Sequence, residues 1–307
     1  MYYLHPLNII EPKTIDISKR KFSNLQPLTL SNKIVNTEAV IYHFRYSSDY
    51  DGVLKKLYLS SGNVFASKLY TIEMLNYYRD ILPESFVIPD ALVSVRGEIV
   101  GFCMPKVMGD NLSVLLSDDN VDYREQLFYL KCVGEEIEKL NNIRKYSCLK
   151  DIYFGDLQEC NFVVDRNSKK LFAVDLDSCK ISGNVAMASR YLNPKALLDS
   201  TINKYTINKD DNVLAYIIPT SNSDLYCYNI MVLNYLYGDN INNLSESAFY
   251  DYLNYLRYIG IDYNLLDSFS KLVKYKDNDN ISCYLDSLSR ENICRAKGHV
   301  YRRVLGK

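Results

Sequence analysis

Two short segments, IYFGDLQECNFVVD (152–165) and KLFAVDLDS (170–178), carry the most informative polar residues of this chain. Asn161 follows Asp156 by five residues, and Asp175 comes fourteen residues after Asn161. A carboxylate can orient a hydroxyl group and accept its proton, and carboxylate and carboxamide oxygens are the ligands that Mg²⁺ on a nucleotide prefers. The three side chains are therefore a workable set for transferring a phosphoryl group.

Composition sets the class of protein and excludes some partners. The chain has 307 residues, 48% of them hydrophobic and 24% charged, so it can bury a full core and is long enough for two modest domains. Its 36 basic and 37 acidic side chains give a formal charge of −1, without the basic excess of proteins that bind nucleic acid or anionic lipid. We therefore expect no nucleic acid and no membrane among its partners.

The start of the chain and its cysteines indicate a cytoplasmic protein. The sequence MYYLHPLNIIEPK (1–13) lacks a basic region and a cleavage site, and no apolar run approaches the length of a membrane span. Eight cysteines without a CxxC pair suit free thiols in a reducing compartment. Only three histidines are present, so we expect no zinc site and no Ser-His-Asp hydrolase.

Hydrophobic periodicity divides the chain into a strand-rich part and a helical part. The alternation within 31–105 predicts five short strands and one interrupting helix, SKLYTIEMLNYYRDIL (67–82). Leu69, Ile72, Leu75 and Tyr78 recur at helical spacing in that helix, and Leu130, Val133, Ile137 and Leu140 form an apolar stripe within 123–143. The weak signals of 196–222 predict a long loop. The predicted strands are KIV, AVIYHF, GVLKKLYL, ALVSV and IVGFCMP, and the predicted later helices are 123–143, 223–237, 246–258 and 264–274, with Gly260 between the last two.

This order resembles that of the protein kinases, and the motif segments make the resemblance specific. FGDLQECN resembles the family's H-R-D-L-x-x-x-N catalytic loop, which implies that Asp156 is the catalytic base and Asn161 a Mg²⁺ ligand. VDLD resembles the strand and D-F-G turn, which implies that Asp175 is the second metal ligand. Asp177 stands at the glycine position of that motif, so the resemblance does not assign it as a ligand.

The resemblance also implies a lysine that holds the nucleotide phosphates and a helix glutamate that pairs with it. GVLKKLY resembles the V-A-I-K strand, and Glu73 lies on the predicted helix eighteen residues after Lys55. Strand alternation lets only one of Lys55 and Lys56 face the cleft. We choose Lys55 because it follows the apolar pair Val53 and Leu54, although alternation alone leaves the choice open.

The remaining matches concern the hinge and the helical part. Met104 corresponds to the gatekeeper, the backbone of Pro105, Lys106 and Val107 would face adenine, and Val40 would cover the ring. Further on, ASRYLNPK (188–195) resembles the end of an activation segment. SDLYCYN (223–229) resembles the start of the large lobe's central helix, which implies that Asp224 braces the catalytic loop.

The fold class that the resemblance implies is α+β, a bilobal protein-kinase-like fold. It combines a small antiparallel five-stranded lobe carrying one helix with a larger, mainly helical lobe. Residues 1–30 would be an N-terminal extension, 31–105 the small lobe, 106–111 the hinge and 112–307 the large lobe. The implied activity is transfer of the γ-phosphate of ATP, with Mg²⁺, to a serine or threonine hydroxyl of a protein substrate.

The sequence departs from the family at several positions. KIVNTE (33–38) has no glycine where the family has its glycine-rich phosphate loop, and Phe154, Gly155 and Gln158 replace polar or basic residues of the catalytic loop. Loss of the loop arginine argues against switching by activation-loop phosphorylation. Lys195 replaces a glutamate at the end of the activation segment.

Two alternatives stay open. A degenerate nucleotide loop is typical of pseudokinases, which would make the chain a catalytically silent binding or scaffolding protein. GDLQECN also resembles the H-G-D-L-H-x-x-N loop of aminoglycoside and choline phosphotransferases. The match at 223–229 favours the protein-kinase side, whereas an acidic open pocket would favour the small-molecule kinases.

Overall fold

The computed structural model describes residues 13–28, 39–58, 62–184, 204–205, 216–217, 220–272 and 278–304. Over these ranges the chain is a mixed α+β protein. A five-stranded sheet with one long helix comes first, and a mainly helical part follows. This order agrees with the predicted division of the chain.

The sheet is mixed, whereas the prediction was antiparallel. Its strands are β1 (Lys13–Ile17), β2 (Ala39–Phe44), β3 (Gly52–Leu57), β4 (Ala91–Val95) and β5 (Glu98–Pro105), in the spatial order β1-β4-β5-β3-β2. The pairs β2–β3, β3–β5 and β4–β5 are antiparallel, and β1 runs parallel to β4. No short hairpin joins β1 to β4, so no tight turn imposes an antiparallel direction on that pair.

The edge strand β1 lies within residues 1–30, the predicted N-terminal extension. The short helix α1 (Lys19–Ser23) follows it, and Ile17 and Phe22 pack with Phe44 and Leu54 of the sheet. Part of the predicted extension is thus built into the sheet and covers one of its faces. The strand predicted at 33–35 lies outside the described residues.

The predicted helix of the strand-rich part is present as α2 (Asn63–Tyr77). Ile72 and Leu75, two residues of the predicted apolar stripe, are fully buried. Phe65 and Ile72 pack on the sheet face that carries Val53 and Phe102. The helix begins before the predicted start, and a 3₁₀ turn, Arg79–Ile81, follows its end.

The second part of the chain is helical, with short strands between the helices. Its strands are β6 (Asp110–Asn111), β7 (Ile152–Tyr153), β8 (Phe162–Asp165), β9 (Lys170–Ala173), β10 (Lys180–Ile181), β11 (Lys204–Tyr205) and β12 (Tyr216–Ile217). Its helices are α3 (Leu112–Ser117), α4 (Tyr123–Tyr146), α5 (Ser221–Tyr237), α6 (Glu246–Tyr258), α7 (Tyr263–Lys271) and α8 (Arg290–Val304). The short strands pair as β6-β8-β9, β7-β10 and β11-β12.

Helix α4 illustrates why these helices form where the sequence predicts them. Asp122 caps its first turn by accepting a hydrogen bond from the backbone N–H of Arg124 at 2.7 Å. The predicted stripe of Leu130, Val133, Ile137 and Leu140 is fully buried. The predicted helices at 223–237, 246–258 and 264–274 are confirmed by α5, α6 and α7, whereas α3 and α8 were not predicted.

No helix in the described part of the chain is both long enough and apolar enough to cross a membrane. All eight cysteines lie in described ranges, and each is a free thiol.

Candidate functional site

Lys55 points from strand β3 to the face of the sheet that packs against α2. It is cross-strand partner to Ile41 and Phe102, and only 3% of its surface is exposed. Lys56 points to the other face, where its ammonium group lies 5.4 Å from the centroid of the Phe22 ring. The structure thus places Lys55, and not Lys56, in the interior between the sheet and α2.

The ammonium group of Lys55 binds two carboxylates from the helical part of the chain. Lys55 Nζ donates to Asp175 Oδ1 and to both oxygens of Asp177, at 2.9 and 3.1 Å. Asp177 lies in the 3₁₀ turn Leu176–Ser178, directly after Asp175. The predicted phosphate lysine and the predicted metal-ligand segment therefore meet in one ionic cluster.

Lys68, on helix α2, completes this cluster and was missed from the sequence. Its Nζ lies 2.6 Å from Asp177 Oδ2 and 3.3 Å from Ser178 Oγ. Lys68 precedes the buried Ile72 by one helical turn and Leu75 by two, so it lies on the apolar face of the helix. A lysine on that face was the available signal, because a buried ammonium group needs a partner.

The predicted Lys55–Glu73 pair is not formed. In the described part of the chain the ion pairs of Lys55 are with Asp175 and Asp177, and Glu73 is only partly buried. The physical reason is geometric, because Lys68 rather than Glu73 projects from α2 toward the turn at Asp177. The helix therefore contributes a cation, not an anion, to this cluster.

The two carboxylates of the cluster differ in their electrostatics. Burial raises the pKa of Asp177, but the ammonium groups of Lys55 and Lys68 outweigh burial and hold that pKa below its usual range. Burial also raises the pKa of Asp175; Lys55 opposes this and the charge of Asp177 adds to it, giving a pKa of about 6. Asp177 therefore carries the fixed negative charge of the cluster.

The loop that contains Asp156 is held beside Asp175 by hydrogen bonds. Asn161 donates from Nδ2 to the backbone oxygen of Asp156 at 2.8 Å and to its Oδ2 at 3.3 Å. Gln158 donates to the same carboxylate oxygen at 2.9 Å. The backbone N–H of Val174, next to Asp175, donates to the Asn161 carbonyl at 2.9 Å. The structure thus connects all three residues of the predicted constellation.

The donor atoms of this constellation suit a magnesium ion. Asn161 uses its amide nitrogen for hydrogen bonds within the loop. Its Oδ1 is therefore the atom of the carboxamide that suits a metal ion as a ligand. The Asp175 side chain is 28% exposed, whereas that of Asp177 is fully buried. Asn161 and Asp175 therefore fit a Mg²⁺ that keeps several further ligands from phosphate or water.

Asp175 adopts a left-handed backbone conformation, with φ 63° and ψ 34°. Aspartate tolerates this region better than most residues with a side chain, although the conformation is uncommon. It turns the chain from β9 into the 3₁₀ turn Leu176–Ser178, so that Asp175 and Asp177 can both reach Lys55. The turn is therefore what forms the ionic cluster.

Asp224, at the start of α5, holds the other end of the loop. Its Oδ2 accepts a hydrogen bond from the backbone N–H of Phe154 at 3.1 Å, in keeping with the bracing role that the resemblance implies. Burial raises the pKa of Asp224 to about 7, against the opposing effects of the Phe154 N–H and the Arg144 charge. Gly155 follows with φ +70°, a conformation that favours glycine.

Phe154 packs the start of the Asp156 loop through its aromatic ring, at the position where the protein-kinase motif that this loop resembles has a histidine. Its ring lies 5.3 Å from that of Phe86 and 5.8 Å from that of Phe162, measured between centroids. These tilted contacts join the segment before β4 to the base of β8. An apolar contact therefore replaces a polar side chain at this position.

An apolar cluster lies beside Lys55 on the same face of the sheet. Val53 and Met104 pack there with Val107, and Phe172 and Val174 reach the cluster from β9 and the residue that follows it. These side chains come from both parts of the chain. They provide an apolar contact surface of the kind that a nucleotide base needs.

The predicted role of Val40 is not consistent with the strand register. Val40 pairs with Lys56, and Ile41 pairs with Lys55. Directly opposite residues of an antiparallel pair share a face, so Val40 lies on the face away from Lys55. Ile41 lies on the Lys55 side, where it and Ala39 pack with the Val53 cluster.

The predicted hinge residues follow directly after β5. Pro105 ends the strand and has no N–H group, and the N–H of Lys106 donates to the Asp51 carbonyl at 3.3 Å. In the described part of the chain no carbonyl accepts from the N–H of Val107. Within residues 105–107, Val107 is therefore the residue whose backbone N–H group can donate a hydrogen bond to a ligand.

A pocket lies next to the loop that contains Asp156, between the end of α3, the start of α4, the end of α5 and α8. Glu159, three residues after Asp156, forms part of its wall together with Tyr123 and Tyr235. The charged residues of the wall are Asp119, Asp122, Glu159, Asp239, Arg290 and Lys297. Acidic residues outnumber basic ones in this wall.

Two parts of the predicted site lie outside the described residues. These are the glycine-free segment 33–38 and the activation-segment match 188–195, which includes Lys195. In the described ranges no group of three or more His, Cys, Asp or Glu side chains could hold a metal ion. The candidate magnesium site accordingly rests on one aspartate and one asparagine.

Comparison with known proteins adds no family to this description. No protein-family model matches the chain, and no curated protein matches it.

Proposed function

We propose that this chain is an ATP- and Mg²⁺-dependent phosphotransferase with a bilobal, protein-kinase-like fold, acting on a serine or threonine hydroxyl of a protein substrate. The observation that carries the proposal is the ionic contact of Lys55 with Asp175. These residues are 120 positions apart in sequence, and the motif resemblance assigns them to the phosphates and to the metal. Their meeting beside Asn161 and Asp156 supports one site.

Each residue of the proposed site has a role that follows from its chemistry. Asn161 and Asp175 supply hard oxygen ligands for Mg²⁺, and Lys55 supplies a positive charge for phosphate oxygens. Mg²⁺, when bound there, would neutralise charge on the phosphates. The Asp156 carboxylate orients the acceptor hydroxyl and takes its proton as the new oxygen–phosphorus bond forms and the bond between the γ-phosphorus and the bridging oxygen breaks, with ADP leaving. Gln158 and Asn161 hold that carboxylate in place.

The apolar cluster of Val53, Met104, Val107, Phe172 and Val174 supports a base-binding role on the same side of the sheet. Its members come from the strand that carries Lys55, from the hinge and from the segment that leads to Asp175. A base resting there would place its phosphates toward Lys55. The N–H of Val107 offers one polar contact for the base edge.

The direct test is phosphate transfer by the wild-type chain and by Asp156→Ala. With ATP, Mg²⁺ and a mixed protein acceptor, we expect transfer by the wild type and a loss of about 10³-fold or more in the variant. Nucleotide binding should persist in the variant, because Asp156 is assigned to the hydroxyl and not to the phosphates. Equal background transfer by both proteins would overturn the enzymatic proposal.

A small-molecule acceptor is the second candidate, and the pocket beside Glu159 favours it. The acidic residues of that wall suit a cationic molecule such as a polyamine or an amino sugar better than an acidic one. A panel of neutral and cationic hydroxyl compounds, compared with the protein acceptor, separates the two. Transfer to a compound but not to protein would replace the protein-kinase assignment while keeping the phosphotransferase.

A catalytically silent binding protein is an outcome of the same experiments. Thermal unfolding with and without ATP and Mg²⁺ reports whether the nucleotide binds the folded chain, because a ligand of the folded state raises the midpoint. A raised midpoint without phosphate transfer to any acceptor would indicate binding without turnover. An unchanged midpoint at millimolar ATP would contradict the nucleotide site itself.

A further inference from the structure

Lys55, Asp177 and Lys68 form a continuous ionic chain from the sheet to helix α2. The two carboxylate oxygens of Asp177 accept hydrogen bonds from Lys55 Nζ at 2.9 and 3.1 Å. Asp177 Oδ2 also accepts from Lys68 Nζ at 2.6 Å. All three side chains are almost completely shielded from solvent. Salt and water therefore screen these contacts far less than they screen surface ion pairs.

Asp175 and Asp177 have different surroundings, although Lys55 contacts both. Asp177 is enclosed by the two lysines, and its side chain is 0% exposed, compared with 28% for Asp175. Under the proposed function the oxygens of Asp175 bind Mg²⁺. Asp175 then neutralises less of the positive charge of Lys55. Asp177, which is not assigned to the metal, continues to accept hydrogen bonds from Lys55.

Lys68 also ties helix α2 to the turn that carries Asp177. Besides the ion pair, Lys68 donates to Ser178 Oγ at 3.3 Å, and Thr71 Oγ1, one helical turn later, donates to the Cys179 carbonyl at 3.5 Å. Tyr70, on the same helix, donates to the Ser182 carbonyl at 3.2 Å. The position of α2 is thereby coupled to the position of Asp177.

From these contacts we propose that Asp177, anchored by Lys68, is the positioning residue for Lys55, in the role that the family resemblance would assign to Glu73. The inference rests on the proposed function, because it takes Lys55 as the phosphate-binding residue. It makes Lys68 a positioning residue for nucleotide binding, acting through Asp177.

The test compares Lys68→Met, Lys68→Arg and Glu73→Gln for affinity toward ATP with Mg²⁺ by titration calorimetry. We expect Lys68→Met to weaken binding at least tenfold, Lys68→Arg to stay within about threefold of the wild type because it restores the ion pair, and Glu73→Gln to bind like the wild type. Each variant is measured well below its unfolding midpoint, so that loss of folding does not enter the comparison. Wild-type affinity in Lys68→Met, or an equal loss in Glu73→Gln, overturns the inference.

A double-mutant cycle on nucleotide-free protein separates this inference from the proposed function. Lys55→Met is combined with Asp177→Asn and, in parallel, with Glu73→Gln, and unfolding by urea gives each coupling. We expect the Lys55–Asp177 coupling to change the unfolding equilibrium constant at least tenfold and the Lys55–Glu73 coupling to change it less than twofold. The reverse order overturns the positioning role, whether or not the wild type binds ATP. Failure of the wild type to bind ATP, with the expected couplings found, counts against the nucleotide site alone.

Discussion

Asp224 accepts a hydrogen bond from the backbone N–H of Phe154, 3.1 Å away and 70 residues earlier in the chain. The carboxyl group is buried, and among the described residues its other oxygen has no hydrogen-bond partner. An enclosed carboxylate with one unsatisfied oxygen favours the protonated form. This explains why burial raises the pKa of Asp224 to about 7 from its usual value of 3.8.

The first prediction concerns the pH dependence of stability. Because the pKa of Asp224 is higher in the folded than in the unfolded chain, its stabilisation is complete below about pH 4 and is lost as the pH rises through 7. Between pH 5.5 and 8 this residue should lower the free energy of unfolding by about 2 kcal/mol. Asp224→Asn has no charge to gain, so its urea-unfolding stability should fall less over that range. Parallel pH profiles for the two proteins would contradict the assignment.

The second prediction concerns the close contact between α4 and the turn Ser282–Ser287. A Cβ atom at Gly134 would lie 2.6 Å from Ser282 Cβ and 2.9 Å from both Asn280 Oδ1 and the Tyr228 hydroxyl oxygen. Alanine improves helix propensity by about 1 kcal/mol, whereas overpacking costs about 1–3 kcal/mol. Gly134→Ala should therefore destabilise the chain by about 1 kcal/mol, measured by urea unfolding.

The neighbouring, exposed Glu135 provides the control for that experiment. Glu135→Ala changes helix propensity only slightly and adds no close contact, so its free energy of unfolding should change by less than about 0.5 kcal/mol. A Gly134→Ala protein at least as stable as Glu135→Ala would contradict the predicted destabilisation.

The third prediction concerns Ile41 and Val40, which are neighbours on β2 and point to opposite faces of the sheet. Ile41 shares the face of Lys55 and packs with the Val53 cluster, while Val40 lies on the opposite face. Ile41→Ala should weaken ATP binding by about threefold to tenfold, because it removes apolar surface next to the proposed base site. Val40→Ala should leave the affinity unchanged. Equal losses in the two variants, measured by calorimetry, would place the base elsewhere.

Local patterns were sufficient to predict much of the fold. The stripe of Leu130, Val133, Ile137 and Leu140 predicted α4, because apolar residues at helical spacing lie on one face of a helix and that face is buried. Strand β1 could not be predicted in the same way. Its pairing with β4 joins segments far apart in the chain, and no turn signal between them specifies the pair.

The same limit applies to the site. The sequence could predict Lys55, Asp156, Asn161, Asp175 and Asp224 as site residues because each stands in a short motif. Lys68 was missed because a helical lysine is usually solvated, and only the fold brings Asp177 to it. Val40 was assigned to the wrong face of the sheet. Alternation shows which side chains within β2 share a face, but only the register between β2 and β3 shows which of them share the face of Lys55.

The most direct measurement of the central claim is ATP binding in the presence of Mg²⁺ by Lys55→Met and Lys56→Met. The two substitutions remove the same charge from adjacent positions of β3, but Lys55 faces Asp175 and Asp177 while Lys56 lies on the opposite face. We predict that Lys55→Met loses about 100-fold or more in affinity, and that Lys56→Met binds like the wild type. Equal affinity in Lys55→Met and the wild type would contradict the account.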